Sequence, residues 1–220
     1  MNVDQAREEI CRIGRSLFER GYVHSTAGNI SVRLVDGGGY LITPTDACLG
    51  FLQPGRLSHV DSDGNPLGGE RASKTLDLHR RIYAADASAQ CIVHTHSTHC
   101  VALTVAGTWK RDDVLPPITP YQVMKVGHVP LVAYQRPGSA QLVQGVMEAI
   151  DRAQKRGTPI RAVLHERLGP TVWDASPARA MALLEELEET ARLWLLGARG
   201  VAPLGPAQID DLRGAFGACW

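Results

Sequence analysis

An excess of charge of either sign is missing from this chain. Lys plus Arg and Asp plus Glu are both 23 in 220 residues, so the net charge is zero. A nucleic-acid partner calls for clustered cations interleaved with aromatics, and no such stripe is present, so no nucleic acid is expected. A small anion needs only a few local donors and stays open. Long apolar runs are missing too. No stretch approaches the ~20 residues of a membrane span, so no membrane partner is expected. The first turns carry Asp4, Glu8 and Glu9 rather than a basic start and an apolar run, so no secretory leader is expected. The five cysteines, Cys11, Cys48, Cys91, Cys100 and Cys219, are scattered, odd in number and without a CxxC pair. That pattern excludes a disulfide framework and suits reduced thiols in a cytoplasm, with Cys11 and Cys91 as small core residues. Internal repeats and a dividing linker are also lacking. At 44% apolar residues the chain reads as one domain, 1–220, with an irregular Gly-, Pro- and Ala-rich tail from about 198.

Local patterns place the elements. Ile10, Ile13, Leu17 and Phe18 recur at helical spacing and predict a helix from about Asp4, its cap, to Arg20. Gly28 to Leu34, an Asp36-to-Gly39 turn and Tyr40 to Thr43 predict a hairpin. Leu57–Val60 and Pro66–Leu67 flank a second polar turn. Ser73 is placed to cap a helix from Lys74 to Ala85 with Leu78, Ile82 and Tyr83 inward. A helix from near Ser97, a strand over Val126–Tyr134, a helix over Gln141–Lys155, short strands at Ile160–Leu164 and Thr171–Trp173, and a long helix from Ser176–Pro177 to Leu196 follow. Glu185, Glu186, Glu188 and Glu189 on that last helix read as a solvated or subunit-facing surface. The order predicts an α/β domain with a mixed or antiparallel sheet between helical layers.

The chemistry concentrates at Cys91-Ile92-Val93-His94-Thr95-His96. Residues two apart share a face of an extended strand, so His94 and His96 can offer two nitrogen ligands to a zinc-like ion. Three polar loops suit an anion: Thr26-Ala27-Gly28-Asn29, Thr43-Pro44-Thr45-Asp46, and Ser73-Lys74-Thr75 at a helix start, where free amides and the helix dipole favour negative charge. Together they make a credible phosphate site. His24, His59 and His99 read as structural or surface residues.

The ordered set TAGNIS from Thr26, LITPT from Leu41, Ser73-Lys74, His94-Thr95-His96 and Glu185-Glu186-Leu187-Glu188 resembles the class II aldolase/adducin family over about residues 5–196. Within that family the Ser-Lys helix start, Pro116–Tyr121 and Gly127–Leu131 resemble most the 3-oxo-tetronate 4-phosphate decarboxylases, with L-fuculose-1-phosphate aldolase more distant. The resemblance implies a three-layer α/β/α fold around a largely antiparallel mixed sheet. It implies a homotetramer with sites between subunits, and a zinc ion or other divalent metal that stabilises an enediolate. By position Gly28, Asn29, Thr45, Ser73 and Lys74 would hold the phosphate end of a small phosphorylated sugar acid. Tyr121 falls near the family's catalytic tyrosine, and Lys74 is the second catalytic candidate.

Two positions depart from the family's pattern. Thr75 stands where the family has an acid/base glutamate. Leu168 stands where it has a third histidine ligand, in Leu164-His165-Glu166-Arg167-Leu168-Gly169. His165 is the first candidate for the third ligand, and Glu166, His128 and His79 are open alternatives. The expectation is a metal-dependent carbon–carbon lyase, most readily a decarboxylase. The alternatives are a non-catalytic adducin-like binding domain and an aldolase or epimerase working through the same enediolate.

Overall fold

The computed structural model describes residues 1–35, 37–197, 200 and 202–220. Asp36 of the expected first turn, Val201 of the expected tail and residues 198–199 where that tail was to begin lie outside the described residues. The chain starts with α1, Val3–Glu19, capped by Asn2, whose side chain accepts from the Gln5 amide while Gln5 returns a bond to the Asn2 amide. This reciprocal box displaces the Asp4 cap expected from the sequence. Strands β1 (Asn29–Arg33) and β2 (Tyr40–Ile42) form the expected hairpin, and β3 (Ser58–Val60) pairs with β4 (Pro66–Gly68). Helix α2 spans Leu76–Ala85 and β5 spans Cys91–His94. Then come α3 (Thr98–Ala106), the two-residue β6 (Leu131–Val132), α4 (Ala140–Lys155), β7 (Ala162–His165), β8 (Gly169–Asp174), α5 (Pro177–Leu196) and α6 (Pro206–Phe216).

The eight strands form one sheet in the order β4-β3-β2-β1-β5-β8-β7-β6, antiparallel at every pair except β6 with β7. One core packs α1, α3 and α5 against the face carrying Ile30, Cys91, Val93 and Val172; the other packs α2 and α4 against Ile92, Val163 and Trp173. Alternation along β5 decides this division: Cys91 and Val93 go one way and Ile92 the other. Burial on both faces explains why β5 and β7 open with unbroken apolar runs, Cys91–Val93 and Ala162–Leu164. All five cysteines are free. No helix is long and apolar enough to cross a membrane among the described residues.

Several expectations change. α2 begins two residues later than expected, because Ser73 to Thr75 form the turn that leads into it. The strand expected over Val126–Tyr134 is only β6, and Gln122–Val126 is instead a wide π-type turn. The tail expected to be irregular holds α6, opened by Pro206 and closed by Gly217 in a left-handed conformation. Glu188 is not on a solvated face. It is 4% exposed and accepts from the His99 and Cys100 amides at 2.8 and 3.0 Å. Burial pushes its carboxyl up, but those amide bonds outweigh that and hold it below the ordinary range. A carboxylate at the start of α3 satisfies amides that would otherwise lack partners, and so anchors the chain just after His96.

Candidate active site

The ends of β1, β5, β7 and β8 meet at one edge of the sheet. Asn29 pairs in register with His94, His94 with Thr171, and His165 with Gly169. Two close backbone approaches make this possible. Gly28 has φ +85°, and a Cβ there would lie 2.8 Å from the His94 carbonyl oxygen; Gly169 has φ +123°, and a Cβ there would lie 2.2 Å from the Thr95 oxygen. Only glycine fits both the angle and the space. The non-glycine residues with positive φ, Ser25, Asp46 and Arg167, all sit in the loops around this edge. Backbone strain of that kind is held in place by surrounding packing and concentrates at sites that recognise ligands.

Above the strand ends lies a cavity of about 200 Å³. Gly28, Asn29, Thr45, Ser73 and Lys74 all line it, together with His94, His96, His165, His79, Thr75 and Leu168. The substrate-end residues and the histidine pair expected from the sequence thus share one chamber. Lys74 Nζ stands 3.7 Å from Asp46 Oδ1, with both side chains largely in solvent. Ser73 Oγ and Thr75 Oγ1 are 3.0 Å apart. Asp46 is the only carboxylate lining the cavity among the described residues.

The strand stops at His94, and His96 lies in the connection to α3, yet the two rings still converge, centroids 5.1 Å apart and edge-on. His94 Nδ1 donates to the Pro170 carbonyl at 2.8 Å. That bond fixes the tautomer and leaves Nε2 as a lone pair. Burial first, then the neighbouring His165 and His96, push His94 well below the ordinary imidazole range. His96 is lowered as well, by burial and by His24, which is exposed, in keeping with the expected structural or surface role, with its ring 6.4 Å away. Two neutral imidazoles are the form a divalent metal binds, so the donor set fits such an ion at these two positions.

The third position is different. His165 lies 5.7 Å from His94, centroid to centroid, but Thr171 Oγ1 stands between them, 2.9 Å from His165 Nε2 and 3.1 Å from His94 Nδ1. His165 Nδ1 is buried without a partner, and burial followed by His96 lowers the ring to about 4. Among the described residues no group of three or more His, Cys, Asp or Glu side chains is gathered to hold a metal. The expected trio is therefore not gathered among the described residues, and the Thr171 hydroxyl engages one of the two His165 ring nitrogens. Two alternatives fall outside the cavity: Glu166 accepts from the Tyr134 amide, and His128 pairs with Asp113 at 2.7 Å beside Trp220. Tyr121 also lies outside. It is exposed, in a separate groove with Arg20, Lys125 and Glu186.

Sequence reasoning missed the Pro137-Gly138 loop, which closes the cavity beside Lys74, and Thr171, which spaces the imidazoles. Only strand register puts Thr171 opposite His94, and register is not local information.

Residues 8–195 match the model of the class II aldolase and adducin N-terminal domain. The chain belongs to the class II aldolase/adducin family. Its relatives include a 3-oxo-tetronate 4-phosphate decarboxylase of Cupriavidus necator, 52% identical with 97% of each chain covered. One of the same name from Escherichia coli is 41% identical over 94% of each chain. Among solved structures, YgbL of Klebsiella pneumoniae superimposes with a TM-score of 0.87 at 41% identity, covering 97% of this chain and 100% of that one. Class II aldolase/adducin enzymes are generally dependent on a divalent metal, which agrees with the paired imidazoles at His94 and His96.

Proposed function

We propose that this chain is a metal-dependent carbon–carbon lyase that decarboxylates a 3-oxo-tetronate 4-phosphate. The observation that carries the reading is the sharing of one cavity by an anion-suited end and a pair of neutral imidazoles. The names of the relatives, at 52% and 41% identity over nearly the whole chain, support it.

In this reading Lys74, the Ser73 hydroxyl, Thr45 and the backbone of Gly28–Asn29 hold the phosphate. That remote anchor supplies binding energy that orients the reacting end. The bond between the carboxylate carbon and C2 breaks, and its electron pair moves into C2–C3 and onto the ketone oxygen. Carbon dioxide leaves, and C2 of the enediolate then takes one proton to give a three-carbon ketone phosphate. His94 and His96 would hold a zinc ion, with His165 as the third ligand. When bound, zinc supplies a Lewis acid for the oxygen that gains charge. Tyr121 supplies the proton from a neighbouring copy in a homotetramer, since in its own copy it faces a different groove. The work is done in the cytoplasm.

The test is carbon dioxide release and product identity by NMR from metal-loaded protein given 3-oxo-tetronate 4-phosphate. Thr75 and Leu168 favour the second reading, an adducin-like binding domain, and a metal-replete protein with no turnover would decide for it. A product that keeps all four carbons would point instead to isomerisation or epimerisation.

A further inference from the structure

One buried imidazole in the cavity has no part in that scheme. His79 sits on α2, one helical turn after Thr75, and is 1% exposed. Its Nδ1 lies 2.7 Å from Ser31 Oγ, and Ser31 Oγ lies 2.8 Å from the Tyr83 hydroxyl. Its Nε2 is buried, lacks any protein partner and belongs to a ring that lines the cavity.

Counting donors settles which way this chain runs. Tyr83 is 2% exposed, and Ser31 is the partner of its hydroxyl. If Ser31 donated to Tyr83, the phenol hydrogen would be buried without an acceptor, which costs about 1–3 kcal/mol. If Tyr83 donates to Ser31 and Ser31 donates to His79 Nδ1, every hydrogen is used except one. That one is Nε2–H of His79, on a ring that lines the cavity. Burial lowers His79 to about 3, so the ring stays neutral near pH 7 and carries a single N–H. Burial raises Tyr83 well above the usual phenol range, so the chain sets a tautomer and does not conduct a proton.

We propose that His79 is a catalytic residue that donates its Nε2–H to the substrate oxygen gaining charge, taking over in part the place left by Thr75, with Ser31 and Tyr83 as positioning residues. A preorganised donor aimed at developing charge is typically worth about 10²–10³ in kcat. The same tautomer excludes His79 as the third metal ligand, because Nδ1 is held by Ser31 and Nε2 already carries the hydrogen. The proposal rests on the decarboxylase reading for the identity of the oxygen.

The experiment compares His79→Leu, His79→Gln and Ser31→Ala in metal-loaded protein, with kcat, metal content and the ¹⁵N shifts of labelled histidine as readouts. His79→Leu should lower kcat about 100-fold with metal content unchanged. His79→Gln keeps an N–H near the same point and should recover most of that loss. Ser31→Ala should mix the two tautomers of His79 and lower kcat about 10-fold. Added phosphoglycolate, which carries a phosphate and a planar anion, should shift the His79 Nε2 resonance in wild type. Should His79→Leu misfold, the Ser31→Ala spectrum and the phosphoglycolate shift still decide the matter. A wild-type spectrum with the hydrogen on Nδ1, metal lost in both His79 variants, or unchanged kcat in His79→Leu would overturn the proposal. A wild type without turnover, but with the Nε2–H tautomer and the phosphoglycolate shift, would overturn the decarboxylase reading and leave the donor standing.

Discussion

At one end of the cavity Lys74 and Asp46 stand largely in solvent, 3.7 Å apart. At the other, His94, His165 and His79 are buried to 5% exposure or less, and each has a ring nitrogen held by a fixed oxygen. The first end offers charge, hydroxyls and backbone, which tolerate small displacements. The second offers neutral imidazoles, whose usefulness depends on which nitrogen carries the hydrogen. The sequence departures fall at the boundary and at the buried end: Thr75 follows Lys74, and Leu168 lies in the β7–β8 turn. Recognition of an anion can thus survive changes that re-order the chemistry.

The strongest way to break this contrast is to empty the buried end. His94→Ala with His96→Ala should remove the bound divalent metal, read by elemental analysis, and cut kcat by about 10³ or more, while inorganic phosphate still inhibits residual turnover or still binds by calorimetry. Loss of phosphate binding in the same variant would show that the two ends are not separable. Next in size is the close backbone approach beside the buried end. Gly169→Ala places a methyl against the Thr95 carbonyl at a positive φ and should cost about 3 kcal/mol, seen as a fall in Tm of about 6–12 °C.

At the exposed end, Lys74→Ala should raise KM about 10–100-fold, the worth of one charge-assisted bond of roughly 1.5–3 kcal/mol, with kcat little changed. A matching fall in kcat would instead assign Lys74 to the chemistry. The buried end should also show itself in acid. Unfolded, His79 binds a proton below about 6.5; folded, it resists until about 3. The unfolded state therefore holds more protons between those values, and stability is lost as pH falls through that window, by about 1.4 kcal/mol per pH unit from this group. His79→Gln should flatten that slope in denaturant titrations at pH 7, 6 and 5, and an unchanged slope would mean that His79 is not the buried neutral ring described above. The smallest effect sharpens the comparison: Leu168→His restores the family's ligand type and should tighten zinc binding roughly 10-fold, measured against a competing chelator.

What the sequence determined by itself is whatever local chemistry writes. Helical spacing located α4, and helical spacing with Ser176–Pro177 as its start located α5, to within a residue, and the alternating segments around Gly37–Gly39 located the first hairpin. That Gly28, Asn29, Thr45, Ser73, Lys74, His94 and His96 share one cavity was expected from the three polar loops and the His-x-His spacing taken together with the family resemblance. The tertiary structure decided the rest. α6 was invisible because its stretch begins in Gly and Pro, and Glu188 looked solvated because its partners belong to another helix. Which nitrogen of an imidazole is free depends on residues far along the chain: Ser31 lies 48 residues from His79, and Thr171 lies 77 from His94. Spacing in sequence shows that a ligand-type side chain is present. Only strand register and burial settle whether its lone pair is available, because hydrogen bonds between distant segments assign the tautomer.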